Sequence, residues 1–216
     1  MKQFIITVAM ALLVSQTART QGTAYLSNLG QSSSGSNPVG SNSWDAVLFQ
    51  AGNNASGYTL DSIQLGMADA SGNPSDFTVM LYSAIVLAGS FPGSSLGTLD
   101  GSLNPTTAGI YTYVPGSSLT LSPNTLYYLV LTAGTAVSNG AYQWDYASSP
   151  AYNPSDNWGW GNGLRSSNGT SWSLLGAYPN DYPQFAIDAT AIPEPGILGL
   201  LGLGGFGFLW HRRKAT

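Results

Sequence analysis

Cysteine is absent from this sequence. That excludes disulfides, a thiol nucleophile and thiolate metal ligands, so stability must come from packing. Charge is scarce too, at 7% of residues. Between Tyr25 and Ala191 there is no Lys, His or Glu, and Arg165 is the one cation. Nine Asp stand against it: Asp45, Asp61, Asp69, Asp76, Asp100, Asp145, Asp156, Asp181 and Asp188. A stretch so poor in cations offers no footprint for nucleic acid and none for electrostatic docking on anionic lipid. Without His or Lys, its many serines have no side-chain base to activate them, and zinc lacks its usual ligands. The single histidine, His211, lies in the C-terminal tail. No 12-residue window of this stretch reads as an amphipathic helix, and no repeat at fixed period is visible.

What is present is a period of two. Phe77, Val79 and Leu81 share one face, and Thr78, Met80 and Tyr82 the other. Tyr142, Trp144 and Tyr146 alternate with Gln143 and Asp145, and Phe185, Ile187 and Ala189 alternate with Asp188 and Thr190. Further strands are expected at Trp44–Gln50, Ile110–Val114, Ser118–Leu121 and Trp172–Leu175. Leu126–Thr132 is apolar on both faces, which places it inside a sheet. Tyr58–Leu60 and Ile63–Leu65 alternate with a phase slip at Asp61-Ser62, the mark of a β-bulge. Turn residues separate the runs at Asn53-Asn54, Ser71-Gly72-Asn73-Pro74, Phe91-Pro92-Gly93, Ser122-Pro123-Asn124, Ser138-Asn139-Gly140 and Asn168-Gly169. Gln31–Ser43 and Ser148–Gly163 read as long loops. Eight to ten strands in about 165 residues, enough for one core, predict an all-β fold. The expectation is an antiparallel, jelly-roll-like β-sandwich over residues 25–191.

The two ends differ from this middle. Residues 1–24 have the layout of an export leader: Lys2, an apolar run from Phe4 to Val14, then small residues. Residues 192–216 read Ile192-Pro193-Glu194-Pro195, then Gly196 to Trp210 without a charge, then His211-Arg212-Arg213-Lys214. As a helix, those 15 residues reach about 22 Å, short of the roughly 30 Å hydrocarbon core. The basic cluster Arg212, Arg213 and Lys214 predicts that this end stays cytoplasmic. The fold expectation is thus a sandwich flanked by a signal helix and a C-terminal transmembrane helix.

This order of Pro193-Glu194-Pro195, short Gly/Leu-rich span and basic cluster resembles the PEP-CTERM protein-sorting domain, with Ile192 where that family usually has Val. The resemblance covers about 25 residues. It implies a substrate of an exosortase, a membrane-embedded transpeptidase-like enzyme that cuts near Pro193-Glu194-Pro195. It also implies release or re-anchoring at the surface or in the extracellular matrix of a Gram-negative bacterium that makes exopolysaccharide. The middle of the chain resembles choice-of-anchor exported domains of type R, through Leu26-Ser27-Asn28-Leu29-Gly30, Phe77–Ser83, Ala108-Gly109-Ile110-Tyr111 and Leu121–Leu131. That likeness implies a surface domain with no assigned chemistry.

Candidate site residues are few. Trp158 and Trp160, with Asn162 and Arg165, form an aromatic segment that either stacks on sugar rings or folds back over the core. Arg165 is expected to pair with an Asp. Asp69, Asn73 and Asp76 cluster in a turn and are the calcium candidates, without EF-hand spacing. Nine Asp leave room for a carboxylate-pair glycosidase, but no spacing singles out a pair. The sequence therefore predicts a non-enzymatic, structural or adhesive exported protein without cofactor, processed by an exosortase and in contact with polysaccharide. A carbohydrate-binding module using the Trp segment, and an Asp-based hydrolase, are the alternatives.

Overall fold

A computed structural model describes residues 22–86, 90–101, 104–149, 152, 154–175 and 181–194. The expected signal helix and the expected transmembrane helix at 196–210 both lie outside these residues, and no described helix is long and apolar enough to cross a membrane. Most of the described chain is strand. In order, the strands are β1 Thr23–Ser27, β2 Gly35–Val39, β3 Trp44–Gln50, β4 Tyr58–Gly72, β5 Thr78–Val86, β6 Ser90–Gly101 and β7 Gly109–Pro115. They continue with β8 Thr120–Leu121, β9 Leu126–Thr132, β10 Gly140–Ala147, β11 Gly159–Ser166, β12 Ser173–Leu174, β13 Tyr182–Pro183 and β14 Phe185–Ala191. One 3-10 turn, Val137–Asn139, precedes β10.

All the pairings are antiparallel, and hydrogen bonds join the fourteen strands into one sheet ordered β1-β14-β4-β7-β6-β5-β9-β3-β11-β12. β10 pairs with β4, β2 and β13 beside this path, and β8 pairs with β4. The sheet curls so that its two ends meet. Tyr25 of β1 stacks on Trp158, just before β11, with ring centroids 5.1 Å apart. Trp158 also stacks on Phe49 of β3 and meets the edge of Tyr58 of β4. Between the facing ends lies one large core containing Phe49, Tyr58, Ile63, Leu65, Val79, Leu81, Leu129, Tyr142, Trp144, Phe185 and Ile187. Each such side chain contributes about 1.5–3 kcal/mol on burial. Two buried polar side chains brace the start of β14. Buried Asn28 accepts from the Phe185 N–H (2.8 Å) and donates to the Pro183 carbonyl (3.0 Å). The Trp144 indole N–H donates to the Gln184 carbonyl (2.9 Å).

β9 runs between β5 and β3, as its two apolar faces require. Leu129 and Leu131 enter the main core, while Tyr128 and Val130 join a second, smaller cluster with Ala46 and Leu164 on the outer face. The bulge at Asp61 is present: Leu60 pairs with Ala189 and Ser62 with Asp188, which leaves Asp61 as the extra residue. The bulge lets Tyr58 and Leu60 before it, and Ile63, Leu65 and Met67 after it, all face the core.

The structure corrects several expectations. Fourteen strands replace the eight to ten, and two expected loops contain strands. β2 lies within Gln31–Ser43 and pairs only with β10; at such an edge Pro38 is tolerated although it lacks an N–H. β11 begins inside Ser148–Gly163 and carries Gly159, Gly161 and Gly163 along its length. Phe91-Pro92-Gly93 lies within β6, in a hairpin with β5 that carries bulges, rather than at a turn. β1 begins at Thr23, two residues before the expected domain start.

The bulge sets the phase of a whole strand half, since a one-residue shift reverses every side chain. Inserting one Ala after Asp61 is therefore expected to turn Tyr58 and Leu60 outward and to remove several kcal/mol of stability. Asp61→Ala keeps the bulge and loses only the bond from the Thr190 hydroxyl (2.7 Å), a cost of about 1 kcal/mol. Urea unfolding of the two variants separates these outcomes.

Candidate functional site

The sole cation of the domain has a defined partner. Arg165 of β11 lies across from Asp45 of β3 in strand register. Its Nε donates to one Asp45 oxygen (2.8 Å) and one of its terminal nitrogens to the other (3.2 Å). The same terminal nitrogen donates to Asn37 Oδ1 of β2 (3.3 Å). Arg165 only donates, so the Asn37 oxygen must face it; the Asn37 amide nitrogen is left buried without a partner. The pair is asymmetric, with the Arg165 side chain one-third exposed and Asp45 fully sealed. Burial pushes the Asp45 carboxyl up to about 6, and the hydrogen bonds and charge of Arg165 pull against that rise.

The aromatic segment folds back over the core. Asp156 and Asn157 adopt left-handed backbone (φ 49° and 61°) and reverse the chain just before Trp158. Trp158 is 3% exposed, with faces stacked on Tyr25 and Phe49 and an indole N–H that finds no partner. Its rings are therefore closed to a sugar. Trp160 is half-buried, stacked on Tyr152 at 4.8 Å and edge-on to Tyr182 at 5.1 Å. Asn162 is exposed. Trp160 pairs with Phe49 and Arg165 with Asp45, four residues apart on β3, or about 13 Å. The four candidates thus do not converge on one sugar site; three of them belong to the fold's interior bracing. Gly161 is the enabling residue, because a Cβ there would lie 2.6 Å from the Leu48 side chain.

The calcium candidates also have other duties. Asp69 accepts from the Ala108 N–H (2.8 Å), and Asp76 accepts from the Ser75 hydroxyl (3.0 Å). Among the described residues no three His, Cys, Asp or Glu side chains gather as metal ligands.

A different aromatic borders a surface cavity. Trp44, Asp76, Ser41, Thr78, Thr132, Ala133 and Gly134 line a shallow hollow of about 220 Å³ at the open end of β3, β5 and β9. The Trp44 indole N–H donates to the Ser41 carbonyl (3.1 Å), and its ring leans on the turn at Gly169. Asp76 holds left-handed backbone (φ 56°), and its carboxylate lies close over Gly134, where a Cβ would clash. One aromatic wall, three hydroxyls and a carboxylate make a wall-and-donor set suited to a polyol. Its residues come from three separate segments, so no pattern along the chain marks it.

The chain leaves the sheet at a fixed point. Ala191 pairs with Tyr58, and the Ile192 N–H donates to the Gly57 carbonyl (3.0 Å). Pro193 and Glu194 follow and are exposed. The family model for the PEP-CTERM protein-sorting motif matches residues 191–214. The chain therefore carries this sorting motif, and the match starts on the last residue of β14. No curated protein matches the chain.

The sealed carboxylate makes a pH-dependent expectation. Asp45 binds its proton more tightly folded (about 6) than unfolded (3.8), so its contribution is fully present below about 4 and is lost as pH rises to about 6. Arg165→Met removes the opposing pull and raises that upper limit further. It is expected to cost about 3–5 kcal/mol at pH 7 and much less at pH 4.5. Asp45→Asn leaves a guanidinium that reaches water, costs less, and flattens the slope between pH 4 and 6. Urea titrations at the two pH values read both effects.

Proposed function

We propose that this chain is an exported surface protein of a Gram-negative bacterium, sorted by an exosortase, with a structural or adhesive and non-catalytic role in extracellular polysaccharide. The observation that carries this reading is the junction between fold and motif. The final strand ends on the first residue matched to the sorting motif, and Pro193-Glu194 stands exposed beyond it. A processing enzyme thus meets its recognition sequence on a completed domain. The composition fits the same setting, with solubility resting on neutral polar groups and stability on packing without disulfides.

Two features support the non-catalytic part. The carboxyl whose proton affinity is raised, Asp45, is sealed from solvent and held by Arg165, so it has no access to a substrate. Trp158, which a dedicated binding module would expose, is enclosed. Contact with polysaccharide is assigned instead to the Trp44 hollow, whose size suits about one sugar ring rather than a drug-sized ligand of 300 Å³ or more.

Mass spectrometry of the mature product from its native host is expected to find a C-terminus close to Pro193-Glu194-Pro195; an intact chain through Thr216 overturns the sorting assignment. Binding of the purified domain to the host's own polysaccharide is expected to weaken about tenfold in Trp44→Ala and in Asp76→Ala, the loss of about one good contact. Asn162→Ala is expected to leave it unchanged. Equal binding by all three variants removes the hollow from the assignment.

A further inference from the structure

We propose that the pole of the folded domain around Gly57 is a docking surface for the membrane-embedded enzyme that processes the tail. This rests on the sorting reading above and extends it from the tail to the domain. Chain length limits how far the domain can stand from the membrane. Ile192 is tied to the Gly57 carbonyl (3.0 Å), and the uncharged run begins at Gly196. Four residue steps span at most about 14 Å when fully extended. The headgroup layer takes up much of that distance, since a bilayer is about 40–45 Å thick around a 30 Å core. A cut near Pro193-Glu194-Pro195 therefore falls within about three residues of the sheet. An enzyme gripping extended backbone lies about 5 Å to either side of it, as a neighbouring strand does. It has no room to act without touching the pole.

The pole is rigid. Gly57 holds φ 79°, and a Cβ there would lie 2.5 Å from the Leu121 carbonyl oxygen. The turn before it is closed by the Gly57 N–H on the Asn54 carbonyl (2.9 Å) and by the Ser56 N–H on the Asn54 side chain (3.0 Å). The neighbouring turn is fastened by the Asn124 N–H on the Gly52 carbonyl (2.8 Å). β1 runs antiparallel to β14, with Thr23 opposite Ala189, so the N-terminal end of the described chain leaves from this same pole.

Its chemistry favours a protein over the bilayer as the surface it meets. The exposed residues of the two turns are Asn53, Ala55, Ser122 and Asn124. They include no cation for anionic lipid and no aromatic for the interface, the residues a membrane-seeking face displays. Small neutral side chains instead permit close approach of another folded surface.

The test uses the full chain in its exosortase-positive host and follows precursor and product by pulse-chase. The double variant Ala55→Trp/Ser122→Trp adds neutral bulk at the pole. Processing is expected to slow about tenfold or more, as misplacing a reacting bond by an ångström does. Thermal unfolding of the purified double variant checks that the domain still folds, and a flexible insertion of about 15 Gly/Ser residues between Ala191 and Ile192 is expected to restore its processing. Tryptophan favours the bilayer interface, so unchanged or faster processing of the double variant means the pole meets only lipid and overturns the proposal. Slow processing that the insertion does not rescue also overturns it. A wild-type chain that stays unprocessed overturns the sorting reading itself, and this proposal with it.

Discussion

The closure of the sheet on its own two ends is the constraint on which the rest depends. Tyr25 belongs to the first strand in the hydrogen-bonded order and Trp158 leads into a strand near the last, yet their rings stack at 5.1 Å. With Phe49 and Tyr58 they form the aromatic plug of the core. Aromatic pairs of this kind add about 0.5–1.5 kcal/mol beyond the area they bury. In a chain without disulfides, that plug is what holds the ends together. It also sets where the chain enters and leaves: β1 beside β14 brings both ends of the described domain to one pole.

The same closure decides the fate of the charged groups. Asp45 faces inward on β3 between two apolar neighbours, Trp44 and Ala46, of the outer face. Its charge has to be met inside the fold, and the only cation in the domain sits opposite it on the next strand. Such a pair is weak evidence for stability, because the desolvation of Asp45 offsets much of the attraction. Its clearest consequence is registration of β11 against β3, together with the bond to Asn37 that ties β2 across the opening. Asp61, Asp69 and Asp76 work as hydrogen-bond acceptors at the bulge, on β4 and before β5, a use for Asp that needs no ligand.

Legibility varied by element for identifiable reasons. β3, β9 and the core face of β14 were readable because branched and aromatic side chains alternate or run continuously over seven residues. The bulge at Asp61 was readable because it shifts the phase of an otherwise regular pattern. β2 and β11 were not. Their sequences, Gly-Ser-Asn-Pro-Val and Gly-Trp-Gly-Asn-Gly-Leu-Arg-Ser, carry turn residues whose extended conformation is imposed by neighbours. In β11 the glycines serve close packing against Leu48 and Leu175 rather than turning. The Trp segment illustrates the same limit. Its residue types were compatible with an exposed platform and with a buried brace, and only the position of Tyr25, over 130 residues earlier, selects the brace.

By itself the sequence determined the strand-rich architecture, the bulge, the absence of thiol and histidine chemistry in the domain, and the sorting motif at its end. These follow from local composition and from a period of two, and neither requires knowing which strands are neighbours. The tertiary structure decided that Arg165 pairs with Asp45, that Trp158 is enclosed, that Trp44 and Asp76 share a hollow, and that Ile192 is held at Gly57. Each of those joins residues far apart in the chain, and such contacts are fixed by how the sheet curls rather than by any pattern along it.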